Sequence, residues 1–377
     1  MKSAILFAAA VQLFGTAIAC CANEPATQPA RSLQQAAGNR FLVGTAIMSF
    51  DLNQPPHAEL IRRQFGCITP GNEMKPDALQ RVPGKFTFAN ADRIVEFAQQ
   101  NHMQVIGHTL VWHSQAPKWL FQDEQGKPLP RDVALANMKT HIQTVMRHFK
   151  GKVKGWDVVN EAIADGGAYL RDTPAHRAIG DDYIVKAFEF AHEADPDVEL
   201  YYNDYNIDHD YKRERAARLI RELKAAGVRI DAVGIQGHYL IDQPEIAEIE
   251  RGLNAFSELG VKVMITELDV DPLPRGGRNA TADVTATERA GLDPYRDGFP
   301  PDMQQKLADR YEALFKLFLR YPNLTRVTFW GTTDGNTWLN DFPVRGRMNH
   351  PMLWDRQYQP KPAFDAVWKT LSAGTQK

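Results

Sequence analysis

Disulfides do not organise this chain, which has three cysteines in 377 residues. Cys20 and Cys21 stand beside a candidate processing site, and Cys67 falls in an expected strand as a small buried apolar residue. An excess of one charge is also missing: 44 Lys and Arg against 46 Asp and Glu leave a formal net charge of −2. That balance gives no electrostatic reason to expect nucleic acid or an anionic membrane surface as a partner. The long apolar run at the start is too short and too rich in small residues to make a stable membrane span. No internal repeat and no second domain is visible. What is present is 44% hydrophobic residues, enough for one large core.

Residues 1–20 have one basic residue, an apolar run and small residues before Cys20. That is the pattern of a secretory signal, with Ala17-Ile18-Ala19 fitting an A-x-A cleavage site. The same segment resembles a bacterial lipobox with Cys20 as the lipidated residue, although Ala17 stands where Leu is usual. Plain export and lipid anchoring both stay open. The expected location is outside the cytoplasm: secreted, periplasmic or lipid-anchored at the bacterial envelope. A membrane enters only through a lipid on Cys20. Residues 21–37 are polar, aperiodic and proline-containing, so a flexible tether is expected there. Residues 38–377 are then a single catalytic domain, expected to act as a monomer.

Within that domain short β-branched runs alternate with amphipathic stretches. Strands are expected at Phe41–Ile47, Cys67–Pro70, Gln104–Leu110, Val153–Val159, Val198–Tyr202, Ala232–Gln236, Val261–Thr266 and Arg326–Trp330. Helical patterns lie between them. Alternation of this kind implies parallel strands with right-handed crossovers, and eight units favour a closed (β/α)8 TIM barrel of the α/β class. The stretch Asp271–Pro301, rich in Gly, Pro, Arg and Asp, follows the seventh strand and is a candidate wall for an active site.

Two of the apolar runs end in a glutamate. Strand four leads to Glu161 and strand seven to Glu267. In an α/β barrel the C-terminal ends of the strands gather catalytic groups, and facing carboxylates there are the equipment of glycoside hydrolysis. Asn160 precedes Glu161, where an amide can hold a sugar 2-hydroxyl. Strand three brings His108, Trp112, His113 and Gln115 together. Zinc needs more ligands than the H-x4-H spacing supplies, so sugar contacts or core hydrogen bonds fit these histidines better. Strand six places Gln236 and His238 two apart and therefore on one side. A histidine facing a nucleophilic carboxylate holds it ionised and oriented. Strand eight contributes Trp330 and, in the following loop, Trp338. Tryptophan rings at a barrel mouth can stack on the apolar face of a pyranose.

Seven motifs then occur in order: G-N-E-M-K (71–75), G-H-T-L-V-W-H-S-Q (107–115), W-D-V-V-N-E-A (156–162), Y-Y-N-D-Y-N (201–206), G-I-Q-G-H (234–238), I-T-E-L-D (265–269) and F-W-G-T-T-D (329–334). Together, from about Asn39 to Leu371, the chain resembles a glycoside hydrolase family 10 endo-β-1,4-xylanase. The resemblance implies retaining hydrolysis of internal bonds in xylan and xylo-oligosaccharides, with no metal and no cofactor. It implies Glu161 as acid/base and Glu267 as nucleophile, supported by Asn160 and His238. It places Asn72, Lys75, His108, Trp112, Gln115, Gln236, Trp330 and Trp338 along the glycone subsites and Tyr205 towards the aglycone. One departure is Gly71, where the family usually has Glu in a segment touching the sugar two units from the cleavage point. Two other readings stay open: a related β-glycanase or aryl-cellobiosidase on the same barrel, and a non-catalytic xylan-binding protein. Retention of both Glu161 and Glu267 speaks against the second.

Overall fold

A computed structural model describes residues 31–274 and 293–373. The expected signal segment and most of the Asp271–Pro301 stretch lie outside the described residues. Nine strands form in chain order: β1 (Leu42–Ile47), β2 (Cys67–Pro70), β3 (Gln104–Val111), β4 (Gly155–Asn160), β5 (Glu199–Asp204), β6 (Ala232–Ile235), β7 (His238–Leu240), β8 (Lys262–Asp271) and β9 (Leu324–Phe329). Eight of them, β1 to β6 with β8 and β9, pair in parallel, and the β6–β8 and β9–β1 pairings close the sheet into a barrel. The short β7 lies outside that ring and pairs only with β8.

The strands read as near-continuous apolar runs because helices cover the outer face of the sheet while side chains fill the barrel interior. Low in the barrel, Ile106, Tyr201, Ala232 and Met264 form a separate buried cluster. Cys67 is fully buried, and burial pushes its thiol up to about 11, which suits the expected inert apolar role.

The structure corrects two sequence expectations and adds one helix. The tether does not run to residue 37, because Leu33–Ala37 is a helix capped by the Ser32 hydroxyl. Leu33, Ala36 and Ala37 recur at i, i+3 and i+4 and are buried. Val43 N–H donates to Gln34 Oε1 at 2.8 Å, which ties this helix to β1. The folded unit accordingly starts at Arg31. The seventh barrel strand also does not end at Thr266. It runs on to Asp271, so Glu267 sits within β8, beside a break in register between Ile265 and Leu268. Finally, the helix Pro362–Ala373 was not expected; it packs against both Pro301–Phe318 and Leu33–Ala37 and completes the eighth unit.

Candidate active site

Strand order sets the site. Glu161 follows β4, and its N–H donates to the Asn203 carbonyl on β5 at 2.9 Å. Gly237, at φ 80°, turns the chain between β6 and β7 in a conformation suited to glycine. On either side of that turn, Gln236 reaches Glu161 and His238 reaches Glu267. The expectation that the two share a side therefore holds, although the turn at Gly237 and not the alternation of one continuous strand brings it about.

Glu267 is gripped from two sides. Asn203 Nδ2 donates to Oε1 at 2.8 Å, and His238 Nε2 lies 3.2 Å from Oε2. The other His238 nitrogen, Nδ1, meets Asp269 at 3.0 Å, and Trp338 Nε1 donates to the same Asp269 oxygen at 2.7 Å. Burial alone would lower the His238 pKa, but the Asp269 charge and hydrogen bond, reinforced by Glu267, outweigh it and hold it up at about 10. His238 is thus an imidazolium at neutral pH and donates from both nitrogens. Burial likewise opposes ionisation of Glu267. The His238 hydrogen bond, Coulombic attraction to His108 and His238, and the Asn203 amide reverse that, so its pKa lies below the ordinary value.

Glu161 has the opposite setting. Trp112 Nε1 donates to Oε2 at 2.8 Å and Gln236 Nε2 to Oε1 at 2.9 Å. Burial, the Asp204 charge and then the Glu267 charge together push its pKa above the ordinary value despite those two donors. Asn160 lies beside both acids. With its amide turned to satisfy its neighbours, it donates to the Asn203 carbonyl at 3.0 Å and accepts from Trp112 at 3.2 Å.

The expected glycone residues come together. Lys75 Nζ donates to Asn72 at 2.9 Å and to Gln115 at 2.7 Å, and it stands 4.9 Å from the centre of the Trp112 ring. Burial brings the Lys75 pKa down to about 8, with the charges of Glu267 and Glu161 working against that fall. His108 meets Asp157 at 2.9 Å and packs edge-on against Trp330, with ring centres 5.3 Å apart. Its near neighbour His113 lies 4.0 Å from Glu161 instead. The two histidines are committed to different carboxylates, which is why they do not converge on one point. Gly71 is not in the left-handed region, so its backbone does not require glycine. A Cβ there would meet the Met48 methyl at 2.8 Å, so the tip of Met48 occupies the space a side chain would take.

Tyr205 is placed on the Glu161 side, within a polar network missed in the sequence. Its hydroxyl donates to Asp165, and Arg171 donates to it at 2.9 Å. Buried Lys212 sits 3.8 Å over its ring and donates to Asp204 at 2.7 Å. Arg171 also donates to the backbone carbonyls of Glu161 (2.9 Å) and Ile163 (3.0 Å). These bonds matter because Glu161 adopts φ 58°, a left-handed conformation that is unfavourable for a residue with a side chain. Holding it there costs roughly 1–3 kcal/mol, which Arg171 helps to offset. Arg171→Ala should therefore lower kcat/KM on xylo-oligosaccharides by about 5–150-fold. The loss should be smaller on aryl glycosides with good leaving groups, which need less help from Glu161. Steady-state kinetics on both substrate types checks this; equal losses would make Arg171 a general structural residue. Asp269 was legible in hindsight, since it is two residues from Glu267 on one strand and so shares its face. Arg171 had no local signal, because its targets are backbone carbonyls on a preceding loop.

With this geometry in place, comparison with known proteins agrees. The model of glycosyl hydrolase family 10 matches residues 32–370. An endo-1,4-beta-xylanase A of Xylanibacter ruminicola is 42% identical over 343 residues, covering 90% of this chain and 93% of that one. An endo-1,4-beta-xylanase of Geobacillus stearothermophilus is 40% identical, covering 90% and 98%. Among solved structures, a GH10 endoxylanase retrieved from sugarcane soil metagenome superposes with a TM-score of 0.85 at 41% identity, covering 90% of this chain and 99% of that one.

Proposed function

The chain belongs to glycosyl hydrolase family 10, and we propose that Glu161 and Glu267 are the two carboxyl groups with which it hydrolyses β-1,4-xylosidic bonds in xylan with retention. The observation that supports this assignment is the opposed setting of the two carboxyls. His238 and Asn203 hold the Glu267 pKa below the ordinary carboxyl value, while burial and neighbouring negative charge hold that of Glu161 above it.

In the first step a Glu267 oxygen attacks the anomeric carbon, and the bond from that carbon to the leaving oxygen breaks. The Glu161 proton passes to the leaving oxygen. Once Glu267 is an ester its charge is gone, and one of the causes holding the Glu161 pKa up disappears. Glu161, now ionised, takes a proton from water, which attacks the anomeric carbon and frees Glu267. The two carboxyl groups supply both nucleophile and proton, so no step draws on a metal or cofactor. The Asn160 amide, next to Glu161 in the chain, is assigned to the sugar 2-hydroxyl, and the polar cluster of Lys75 with Asn72 and Gln115 to further hydroxyls.

Early products followed by proton NMR should show the β-anomer first, since two inversions restore configuration. Initial α-xylosyl ends would overturn the retaining assignment. Sugar release from xylan compared with β-glucan separates this activity from the related β-glycanase reading. Export is supported by the signal-like residues 1–20 and by the polymeric nature of the substrate. Lipidation at Cys20 is supported only by the lipobox resemblance. A monomer is supported by the site itself, since one chain supplies both glutamates and the hydrogen-bonding partners described for them.

A further inference from the structure

Asp204 ends β5, one residue past the Asn203 that grips Glu267. Its side chain is fully buried and meets four donors. Lys212 Nζ (2.7 Å) and the Tyr205 N–H (2.8 Å) donate to Oδ1. The Tyr202 hydroxyl (2.6 Å) and the Ile163 N–H (3.3 Å) donate to Oδ2. Three of these groups can only donate. The fourth, the Tyr202 hydroxyl, already accepts from the Ala162 N–H at 3.1 Å and the Ile163 N–H at 3.2 Å. None of the four is left to accept a carboxyl proton, so Asp204 is a carboxylate. Lys212, on the helix Asp210–Ala225, is itself fully buried, and the pair forms a buried ion pair.

The same bonds reach Glu161. Ala162 and Ile163 are the two residues after it, and Tyr202 with Asp204 takes both of their N–H groups. Arg171 takes the carbonyls of Glu161 and Ile163. The left-handed turn at Glu161 is therefore pinned through its donors and its acceptors alike. Asp204 also acts by charge. Around the Glu161 carboxyl, Trp112 and Gln236 donate, and His113 stands 4.0 Å away. Lys75 feels both glutamates, Tyr205 feels Glu161, and Arg171 reaches only backbone. The negative charges acting on Glu161 are those of Asp204 and Glu267. After burial, Asp204 is the larger cause holding the Glu161 pKa up, ahead of Glu267. Glu267 loses its charge on becoming an ester, whereas no bond to Asp204 is made or broken in the reaction.

We propose that Asp204, clamped by Lys212 and Tyr202, is a positioning residue for Glu161 that supplies a negative charge lasting through both steps. The proposal rests on the acid/base reading of Glu161. Glu267 is then the transient half of the control over the Glu161 proton, and Asp204 the permanent half. The permanent charge favours the protonated acid in the first step. In the second it leaves Glu161 a stronger base than burial alone would, because catalytic basicity grows with the pKa of the base.

The test uses the full chain with Lys212→Met and Asp204→Asn together, since either change alone would strand a buried ion. Two pH profiles read the two steps. On xylo-oligosaccharides kcat/KM needs Glu161 protonated, so it falls as pH rises through the Glu161 pKa of the free enzyme. On a dinitrophenyl xylobioside the first step is fast and kcat reports the second, which needs Glu161 ionised and so fails as pH drops through its pKa in the ester. Removing a negative charge lowers both values. The alkaline limb of the first profile and the acid limb of the second should each move to lower pH, by roughly one unit. A merely structural role would lower both profiles and move neither limb, which overturns the proposal. Movement of the kcat/KM limb alone would confine Asp204 to the first step and overturn the lasting role. If the double variant does not fold, carbon-13 NMR of the Glu161 carboxyl in the unsubstituted chain, with Glu267 trapped as its 2-fluoroxylobiosyl ester, decides instead. Titration above the ordinary glutamate value is expected, and a fall to that value or below it overturns the proposal. Equal losses on natural and activated substrates in Glu161→Ala would bring down the acid/base reading itself.

Discussion

Glu267→Ala should abolish turnover of every substrate, activated or natural, by roughly 10⁴–10⁶-fold in kcat. No covalent intermediate can form without the carboxylate, and a better leaving group cannot replace a missing nucleophile. The folded protein should survive the change. His238 keeps its partner Asp269 at 3.0 Å, which Trp338 also grips, so the substitution does not strand a buried imidazolium. Circular dichroism and thermal melting should therefore resemble those of the unsubstituted chain. Azide placed in the vacated space would attack the anomeric carbon directly. That single displacement inverts configuration and yields an α-glycosyl azide. Substantial residual hydrolysis of aryl xylobiosides, or a β-glycosyl azide, would show that another group is the nucleophile.

The pair itself was legible in the sequence because of where each glutamate stands. An apolar run of strand length followed by an acid, occurring twice in an eight-unit pattern, is a local signal read along the chain. The barrel was legible for the same reason. What sets the chemistry was much less so. Which of the two carboxyls has the higher pKa depends on Asp204, His238, Asn203 and Trp112, which lie on other strands or just past the end of one and meet only after the barrel closes. The left-handed backbone at Glu161 has no sequence signature, since nothing about an N-E-A segment announces it. The helix Leu33–Ala37 was hidden by its composition. Its two glutamines and two alanines look like linker, yet Leu33 and both alanines are buried in the folded unit. At Gly71 the sequence shows only that a side chain is missing; that Met48 from the neighbouring loop fills its space depends on how the two segments pack.

Glu161→Ala should fail selectively, and the pattern of failure is what identifies its role. On xylo-oligosaccharides the leaving oxygen must be protonated as its bond breaks, so kcat/KM should fall about 10²–10⁴-fold. On a dinitrophenyl xylobioside the leaving group departs unprotonated, and kcat/KM, which reports the first step, should change little. The second step still needs a base to activate water. The glycosyl-enzyme should therefore accumulate, kcat should drop, and a burst of dinitrophenol should precede slow turnover. Azide requires no base, so it should accelerate turnover and leave as a β-glycosyl azide, opposite in configuration to the product expected from Glu267→Ala. The pH profile gives an independent reading. Glu161 must be protonated to act as acid, and its pKa is raised, so kcat/KM of the unsubstituted enzyme falls as pH climbs through that raised value. Glu267 must be ionised, and its pKa is lowered, so activity falls as pH drops through that lowered value. Glu161→Ala on the activated substrate should lose the alkaline limb and keep the acid one. An alkaline limb that survives the substitution would belong to another group, with Lys75 at about 8 the first to examine. Equal losses on natural and activated substrates would mean that Glu161 is not the acid, because only a proton donor is made dispensable by a leaving group that needs no proton.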